Sequence, residues 1–145
     1  MTQMQDLLFS FSHARPELLL AAFALLAVLV GAWFGERAFA PIANVGVAVL
    51  IAAGALAILD RPQAPLEIFQ GEFVIDGIGV FAKALIAFSA AATLWLGADH
   101  FTRTNERRFE FPVLNVLAVL GMFIMVSARD LITLYIGVEL QSLAA

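Results

Sequence analysis

Glu139 is the residue whose surroundings most clearly suggest chemistry. It lies in LITLYIGVELQSLAA, residues 131–145, where the rest of the helical pattern is apolar or uncharged. A helix rises about 1.5 Å per residue, so Glu139 should lie about 13–14 Å beyond Asp130, a plausible N-cap. That depth is near the middle of a hydrocarbon layer about 30 Å thick. Ionisable residues at such depths usually face the protein interior and mark proton or ion paths.

Two polar residues share the helical face of Glu139. Tyr135 precedes it by four positions and Ser142 follows it by three, so the three side chains should form a short polar stripe. Burial disfavours the charged form of a carboxyl group, which can let a glutamate exchange protons near neutral pH. The pattern therefore favours a proton relay. The alternative is a protonated acid that only forms a hydrogen bond to a neighbouring helix.

Lys83 and Asn115 are two further candidates. Lys83 interrupts the apolar run of residues 77–98 about 10 Å beyond Asp76. It could be a buried cation that serves as a secondary relay group, or it could extend its long stem toward the interface. Lys83 and Glu139 should lie at similar depths, so they could couple if their helices are neighbours. Asn115 could line a path, although an interhelical hydrogen bond is its commoner role.

Other site classes find little support in the composition. The 145 residues include no cysteine, which excludes disulfides and thiolate metal sites, and the two histidines cannot form a metal site without other ligands. No nucleotide-binding loop, nucleophile motif or flavin or nicotinamide fingerprint is present. The net charge of −4 comes without a basic run, so nucleic acid is not an expected partner.

The elements that must position these residues are long apolar helices. Hydrophobic residues make up 62% of the sequence and charged residues 14%, against about half and a quarter in soluble domains. Each of four segments has about the length needed to cross a bilayer, and a fifth begins at residue 131. We predict an all-α integral membrane protein with four transmembrane helices and the start of a fifth. The four segments are residues 18–35, 38–59, 77–98 and 111–128.

Two local features refine this prediction. In the connection of residues 60–76, Gln70-Gly71 separates two short apolar runs, which predicts a small β-hairpin. The run Ala38-Phe39-Ala40 resembles a signal-peptidase site after the first segment. That segment is longer than a signal peptide's apolar region and its N-terminal flank is hardly basic, so we favour a retained helix.

Basic residues in the short connections predict the orientation. Arg37, Arg103, Arg107 and Arg108 fall on one side of the membrane, whereas Arg15, Arg61 and Arg129 fall on the other. The positive-inside rule then places the loop with three arginines in the cytoplasm and the N-terminus outside. Trp33 and Trp95 would lie near the cytoplasmic ends of their helices, where interfacial rings are common.

The C-terminal part of the sequence resembles a known family. The run FPVLNVLAVLGMFIMVSARDLITLYIGVELQSLAA, residues 111–145, is similar to helices four and five of subunit N of bacterial NADH-quinone oxidoreductase, respiratory complex I. The most specific piece is DLITLYIGVELQSLA, residues 130–144. The run DGIGVFAKALIAFSAA, residues 76–91, also resembles that subunit's third helix, including the lysine. The first two helices match only in general character.

The resemblance implies an antiporter-like membrane subunit. Such subunits have fourteen helices that include two inverted five-helix repeats, and they carry no redox centre. Residues 1–110 would be an N-terminal three-helix region, and residues 111–145 would begin the first repeat with helices four and five. The family's functional acid on the fifth helix corresponds to Glu139, and it works beside a lysine of the seventh helix. The sequence would then be the N-terminal portion of a longer subunit and would contain no complete active site.

The resemblance also implies a location, partners and cofactors. The chain would be a multi-pass protein of the bacterial inner membrane, surrounded by lipid and by other membrane subunits of complex I. It would take part in proton translocation coupled to electron transfer from NADH to quinone. FMN, iron–sulfur clusters and quinone are expected in partner subunits, with no cofactor in this chain. The alternatives are a subunit of a multi-subunit sodium/proton antiporter and a structural or assembly subunit.

Overall fold

The computed structural model describes residues 2–145, and 82% of the chain is helical. The helices are named in chain order, with a two-stranded hairpin between α3 and α4. Their bounds are α1 Gln3–His13, α2 Arg15–Phe34, α3 Phe39–Leu59, β1 Leu66–Ile68, β2 Phe73–Ile75, α4 Gly77–Arg103, α5 Glu110–Ser127 and α6 Leu131–Ala144.

Three continuous helical runs are long and apolar enough to cross a membrane: residues 15–59, 77–103 and 110–127. The first run is folded back on itself, because a short 3₁₀ turn, Gly35–Ala38, separates α2 from α3. Gly35 has φ of 59°, a left-handed conformation that favours glycine. Arg15 at the start of α2 lies 3.6 Å from Asp60 at the end of α3, so the two helices are antiparallel. The helix α6 is apolar but has 14 residues, or about 21 Å.

Helices α2 to α5 form a four-helix ring. In this ring α2 packs on α3, α3 on α4, α4 on α5, and α5 on α2, while α6 packs on the outside of α5. Fully buried apolar side chains from all four helices meet in the centre and pack the ring together. They include Leu20, Leu50, Leu94, Val116 and Phe123.

The hairpin lies at one end of the ring, which we call the hairpin end. Its strands pair Leu66 with Ile75 and Ile68 with Phe73, as the sequence predicted. A further bridge joins Phe73 to Ala128, just after α5. The backbone N–H of Arg129 donates a 2.9 Å hydrogen bond to the carbonyl of Glu72, and the Arg129 side chain pairs with Glu67. The hairpin thus holds the α5–α6 junction.

Most predicted helix bounds agree with the structure to within a few residues. The helix α4 differs most, because it continues to Arg103, five residues past the predicted end. The sequence analysis also did not anticipate α1, whose one buried residue is Ser10. The Ala38-Phe39 pair is buried between α2 and α3, in the turn that joins two packed helices.

Candidate functional site

Glu139 points away from the other helices of the described chain. Gly137 of α6 faces α5 so closely that a Cβ atom there would lie 3.0 Å from the Gly121 carbonyl oxygen. A step of two residues along an α-helix turns the direction of the side chain by about 200°. Glu139 therefore lies on the face opposite α5, and its side chain is exposed. Within residues 2–145, α6 brings its carboxyl group to no cationic partner.

Tyr135 and Ser142 lie on the exposed face of Glu139, although the Ser142 hydroxyl does not contact the Glu139 carboxylate. Tyr135 is on the face of Glu139 and is 63% exposed. The Ser142 hydroxyl donates a 3.2 Å hydrogen bond to the backbone carbonyl of Glu139 rather than to its carboxylate. The stripe is therefore a continuous polar surface that α5 leaves uncovered.

Lys83 is buried and forms an ion pair with Glu17. The two residues are 4% and 9% exposed, and the Lys83 ammonium donates to the Glu17 carboxylate. The same ammonium lies 5.7 Å from the centre of the Phe123 ring, a cation–π contact. Lys83 is thus a buried cation whose ammonium lies inside the ring of helices. It is also not brought to Glu139, because α4 and α6 lie on different sides of α5.

Glu17 is the residue that the sequence analysis missed. The predicted first segment begins at residue 18, so Glu17 lies one position outside it. The signal was present: Arg15-Pro16-Glu17 combines a proline at the first helical positions with an acid in the first turn, a common helix start. Glu17 also lines a groove of about 410 Å³ that Leu120, Thr133 and Glu72 help to form.

Asn115 lies apart from both acids. Its Oδ1 atom is buried without a hydrogen-bond partner among residues 2–145. It lines a groove between α4 and α5 together with Ser89 and Thr93. The Ser89 and Thr93 hydroxyls donate to carbonyls of their own helix, so neither satisfies the Asn115 oxygen. The structure does not bring Asn115 near Glu139.

Two aspartates cap the helices that carry the main candidates. Asp76 Oδ1 accepts a 2.6 Å hydrogen bond from the Gly79 N–H at the start of α4. Asp130 accepts from the N–H groups of Ile132 and Thr133 at the start of α6, as predicted. A hydrogen bond from the Thr133 side chain is the main cause of the lowered pKa of Asp130. Among residues 2–145, no group of three His, Cys, Asp or Glu side chains is arranged to hold a metal ion.

Comparisons with known proteins show what this chain is similar to. No protein-family model matches the sequence. The chain is 42% identical over 133 residues to NADH-quinone oxidoreductase subunit N of Methylobacterium nodulans, covering 91% of this chain and 27% of the relative. It is 44% identical over 135 residues to subunit N of Rhodobacter capsulatus, covering 92% and 28%. Subunit N 1 of Rhizobium meliloti is 40% identical over 140 residues, covering 97% and 29%.

A solved structure shares the fold. A chain of respiratory complex I from Thermus thermophilus, solved with bound aureothin, superposes with a TM-score of 0.72 at 25% identity. The match covers 89% of this chain and 27% of that chain. The protein thus spans between a quarter and a third of the length of the relatives it matches. Identity of 40% or more along nine tenths of the sequence, with a shared helical fold, confirms the resemblance of this chain to part of NADH-quinone oxidoreductase subunit N.

Proposed function

We propose that this chain is part of a membrane-arm subunit of NADH-quinone oxidoreductase. In this role it takes part in proton translocation coupled to electron transfer from NADH to quinone. The proposal includes a fourteen-helix antiporter-like subunit in the bacterial inner membrane, with the N-terminus outside. FMN, iron–sulfur clusters and quinone are assigned to partner subunits. The named relatives and the shared fold support this reading over a subunit of a multi-subunit sodium/proton antiporter.

The position of Glu139 is the observation that carries the proposal. The Asp130 cap fixes the start of α6, so the carboxyl group lies about 13–14 Å into the helix, near half the bilayer depth. The helix places that group on the face α5 leaves uncovered. A carboxylate directed into lipid would be costly, so a partner must supply a cation or a hydrogen bond at this depth. Such a contact lets a nearby charge alter the proton affinity of Glu139, which is what a relay needs.

Glu139→Gln in the assembled complex tests this role. Glutamine keeps the size and polarity of the side chain but cannot take up or release a proton. We expect the number of protons moved per NADH oxidised to fall clearly below the wild-type value, because a positioned acid–base group is lost. Pumping is measured as protons moved per NADH oxidised in sealed membrane vesicles. Glu106→Gln is the matched control, because Glu106 is an exposed acid at the opposite end of the ring.

The result separates the proposed role from a structural one. If Glu139 only stabilises the assembly, Glu139→Gln lowers the amount of assembled complex, and the surviving complex pumps normally. Wild-type pumping per NADH in that variant would exclude Glu139 from the relay. The prediction that Lys83 is a secondary relay group is tested separately below, because its charge is already paired with Glu17.

A further inference from the structure

The two buried charges lie on helices at opposite corners of the ring. Each of α2 and α4 packs on α3 and on α5, which places α2 and α4 across the ring diagonal. Glu17 is in the first turn of α2 and Lys83 in the second turn of α4, both at the hairpin end. Their side chains meet across that diagonal, over the Phe123 ring of α5. We call this arrangement the diagonal pair.

Each member of the diagonal pair depends on the other. Both residues are more than nine tenths buried, and a single buried charge without a partner is strongly destabilising. The Glu17 carboxylate also lies at the N-terminus of α2, where the helix dipole favours an anion. The Lys83 ammonium has both the carboxylate and the aromatic ring. The two charges cancel, so the pair can stay buried. Either charge alone would destabilise the fold.

The diagonal pair supplies a buried directional contact between α2 and α4. The buried residues of α2 and α4 near the ring centre are mostly small or aliphatic, such as Ala24, Ala87 and Ala91. Apolar surfaces of this kind pack with little preference for one rotation or shift, whereas a buried polar pair can specify one register. The pair therefore selects a single arrangement of α2 against α4 and α5.

The diagonal pair also affects the position of Glu139, because its contact with Phe123 lies on α5. Phe123 lies in the C-terminal half of α5, the end from which α6 begins. The helix α6 packs on α5 rather than on the other three helices of the ring. Any shift of α5 at the hairpin end would therefore move α6 and the face that carries Glu139.

We infer that Glu17 and Lys83 form a fixed, neutral pair that positions α5 and α6, and that neither residue carries the translocated proton. The second part rests on the proposed function, since it concerns the proton path. Glu17 and Lys83 are thus positioning residues, and Glu139 remains the relay candidate.

Four variants of the assembled protein test the inference: Glu17→Gln, Lys83→Met, the two combined, and the exchange Glu17→Lys with Lys83→Glu. The first measurement is resistance of the chain to unfolding in lipid–detergent mixtures. Each single change should lower the ratio of folded to unfolded protein by about a hundredfold or more. The combined variant should recover most of that loss, because no unpaired charge remains. The exchange should recover less, since lysine then lies at the α2 N-terminus.

The second measurement is protons pumped per NADH oxidised, with its pH profile. We expect Lys83→Arg to keep the wild-type ratio and pH profile, since the charge and the contact with Glu17 remain. The combined Glu17→Gln, Lys83→Met variant should still pump, at a ratio lowered equally across the pH profile, because α5 and α6 lose a positioning contact but no proton carrier is removed. A combined variant that is stable but does not pump would place Lys83 or Glu17 in the proton path and overturn the inference.

The control is the exposed pair Asp99–Arg103, whose atoms are 2.9 Å apart on the surface of α4. Asp99→Asn and Arg103→Gln should each be nearly neutral. If the Glu17 and Lys83 single variants are as stable as these controls, or if their losses are simply additive, the diagonal pair is not a unit. The unfolding measurement needs no NADH. It can therefore support the coupling of Glu17 and Lys83 even if Glu139→Gln leaves pumping unchanged and the proposed function fails.

Discussion

Three carboxylates, those of Glu17, Asp130 and Glu139, differ in the groups that surround them. Glu17 is buried against a cation, Asp130 caps a helix, and Glu139 lies on a face that the described residues leave uncovered. The same chemical group is therefore a structural anion, a helix cap or a relay candidate. Neighbouring atoms decide between these roles, since each acid has the same intrinsic chemistry.

At the residue scale, the Asp130 cap should make the start of α6 sensitive to pH. The hydrogen bond with Thr133 lowers the pKa of Asp130, so its ionised form is favoured in the folded state. The contribution to stability is complete above the ordinary carboxyl pKa of about 3.9 and is lost as the pH falls through the lower folded value. We expect the protection of the Ile132 and Thr133 amides, measured relative to their intrinsic exchange rates at each pH, to fall in that acidic window.

Two substitutions check the origin of this effect. Asp130→Asn keeps a side-chain acceptor for the N–H groups, so it should preserve the cap while removing the acid dependence. Asp130→Ala should accelerate exchange at every pH. Unchanged exchange in Asp130→Ala would show that the hydrogen bonds of Asp130 do not hold the first turn of α6.

At the element scale, the direction of α6 depends on two contacts with the rest of the chain. The hairpin holds its start through the Phe73–Ala128 bridge and the bond from Arg129 to Glu72. Farther along, Gly121 of α5 and Gly137 of α6 allow the two backbones to approach closely. The junction sets where α6 begins, and the glycine contact sets which face turns outward.

Gly121→Ala should disturb this second contact. A Cβ atom at Gly121 would lie 2.7 Å from the Gln141 amide nitrogen and 2.9 Å from the Gly137 carbonyl oxygen. Both are backbone atoms, so α6 itself must move. We expect a loss of about 1–3 kcal/mol in the free energy of unfolding, typical of overpacking, and reduced pumping because Glu139 moves with α6.

Gly46→Ala is the matched control for that variant. Its new Cβ atom would lie 3.1 Å from Leu94 Cδ2 and 3.4 Å from the tip of Phe23, both ends of side chains that can rotate. We expect a clearly smaller change in the free energy of unfolding. Equal losses in the two variants would mean that the α5–α6 contact is no more tightly constrained than an ordinary helix interface.

At the scale of the whole molecule, the two ends of the ring differ in how their arginines are neutralised. At the hairpin end, Arg15 lies beside Asp60 and Arg129 beside Glu67. The opposite end carries Arg37, Arg107 and Arg108 as well as Arg103, which pairs with Asp99. Basic residues near short connections bias that end toward the cytoplasm. The hairpin end should therefore face outward.

The absence of cysteine makes this orientation straightforward to test. Cysteine introduced at Gln63, which is exposed at the hairpin end, should react with a membrane-impermeant maleimide in intact cells or spheroplasts. Cysteine at Asn105, which is exposed at the opposite end, should react only after the membrane is opened. The reverse pattern would invert the proposed topology while leaving the fold unaffected.

The long apolar helices, the hairpin and the Asp130 cap could be predicted from the sequence because local composition determines them. Long apolar runs satisfy their backbone hydrogen bonds internally, and Gln70-Gly71 and Asp130 are local turn and capping signals. The partner of Lys83 could not be predicted in the same way. Glu17 is 66 positions away along the chain, and a helix boundary misplaced by a few residues was enough to remove it from consideration.

The amino-acid sequence by itself indicated a helical membrane protein that resembles subunit N, and it predicted one acid near mid-membrane depth. Hydropathy, periodicity and capping depend on neighbours within a few residues, so these conclusions needed no coordinates. The tertiary structure alone decided that Lys83 pairs with Glu17 and that Glu139 lies opposite α5. Both depend on how α2, α4 and α6 are rotated about their axes, and nearly uniform apolar helices carry little local information about that rotation.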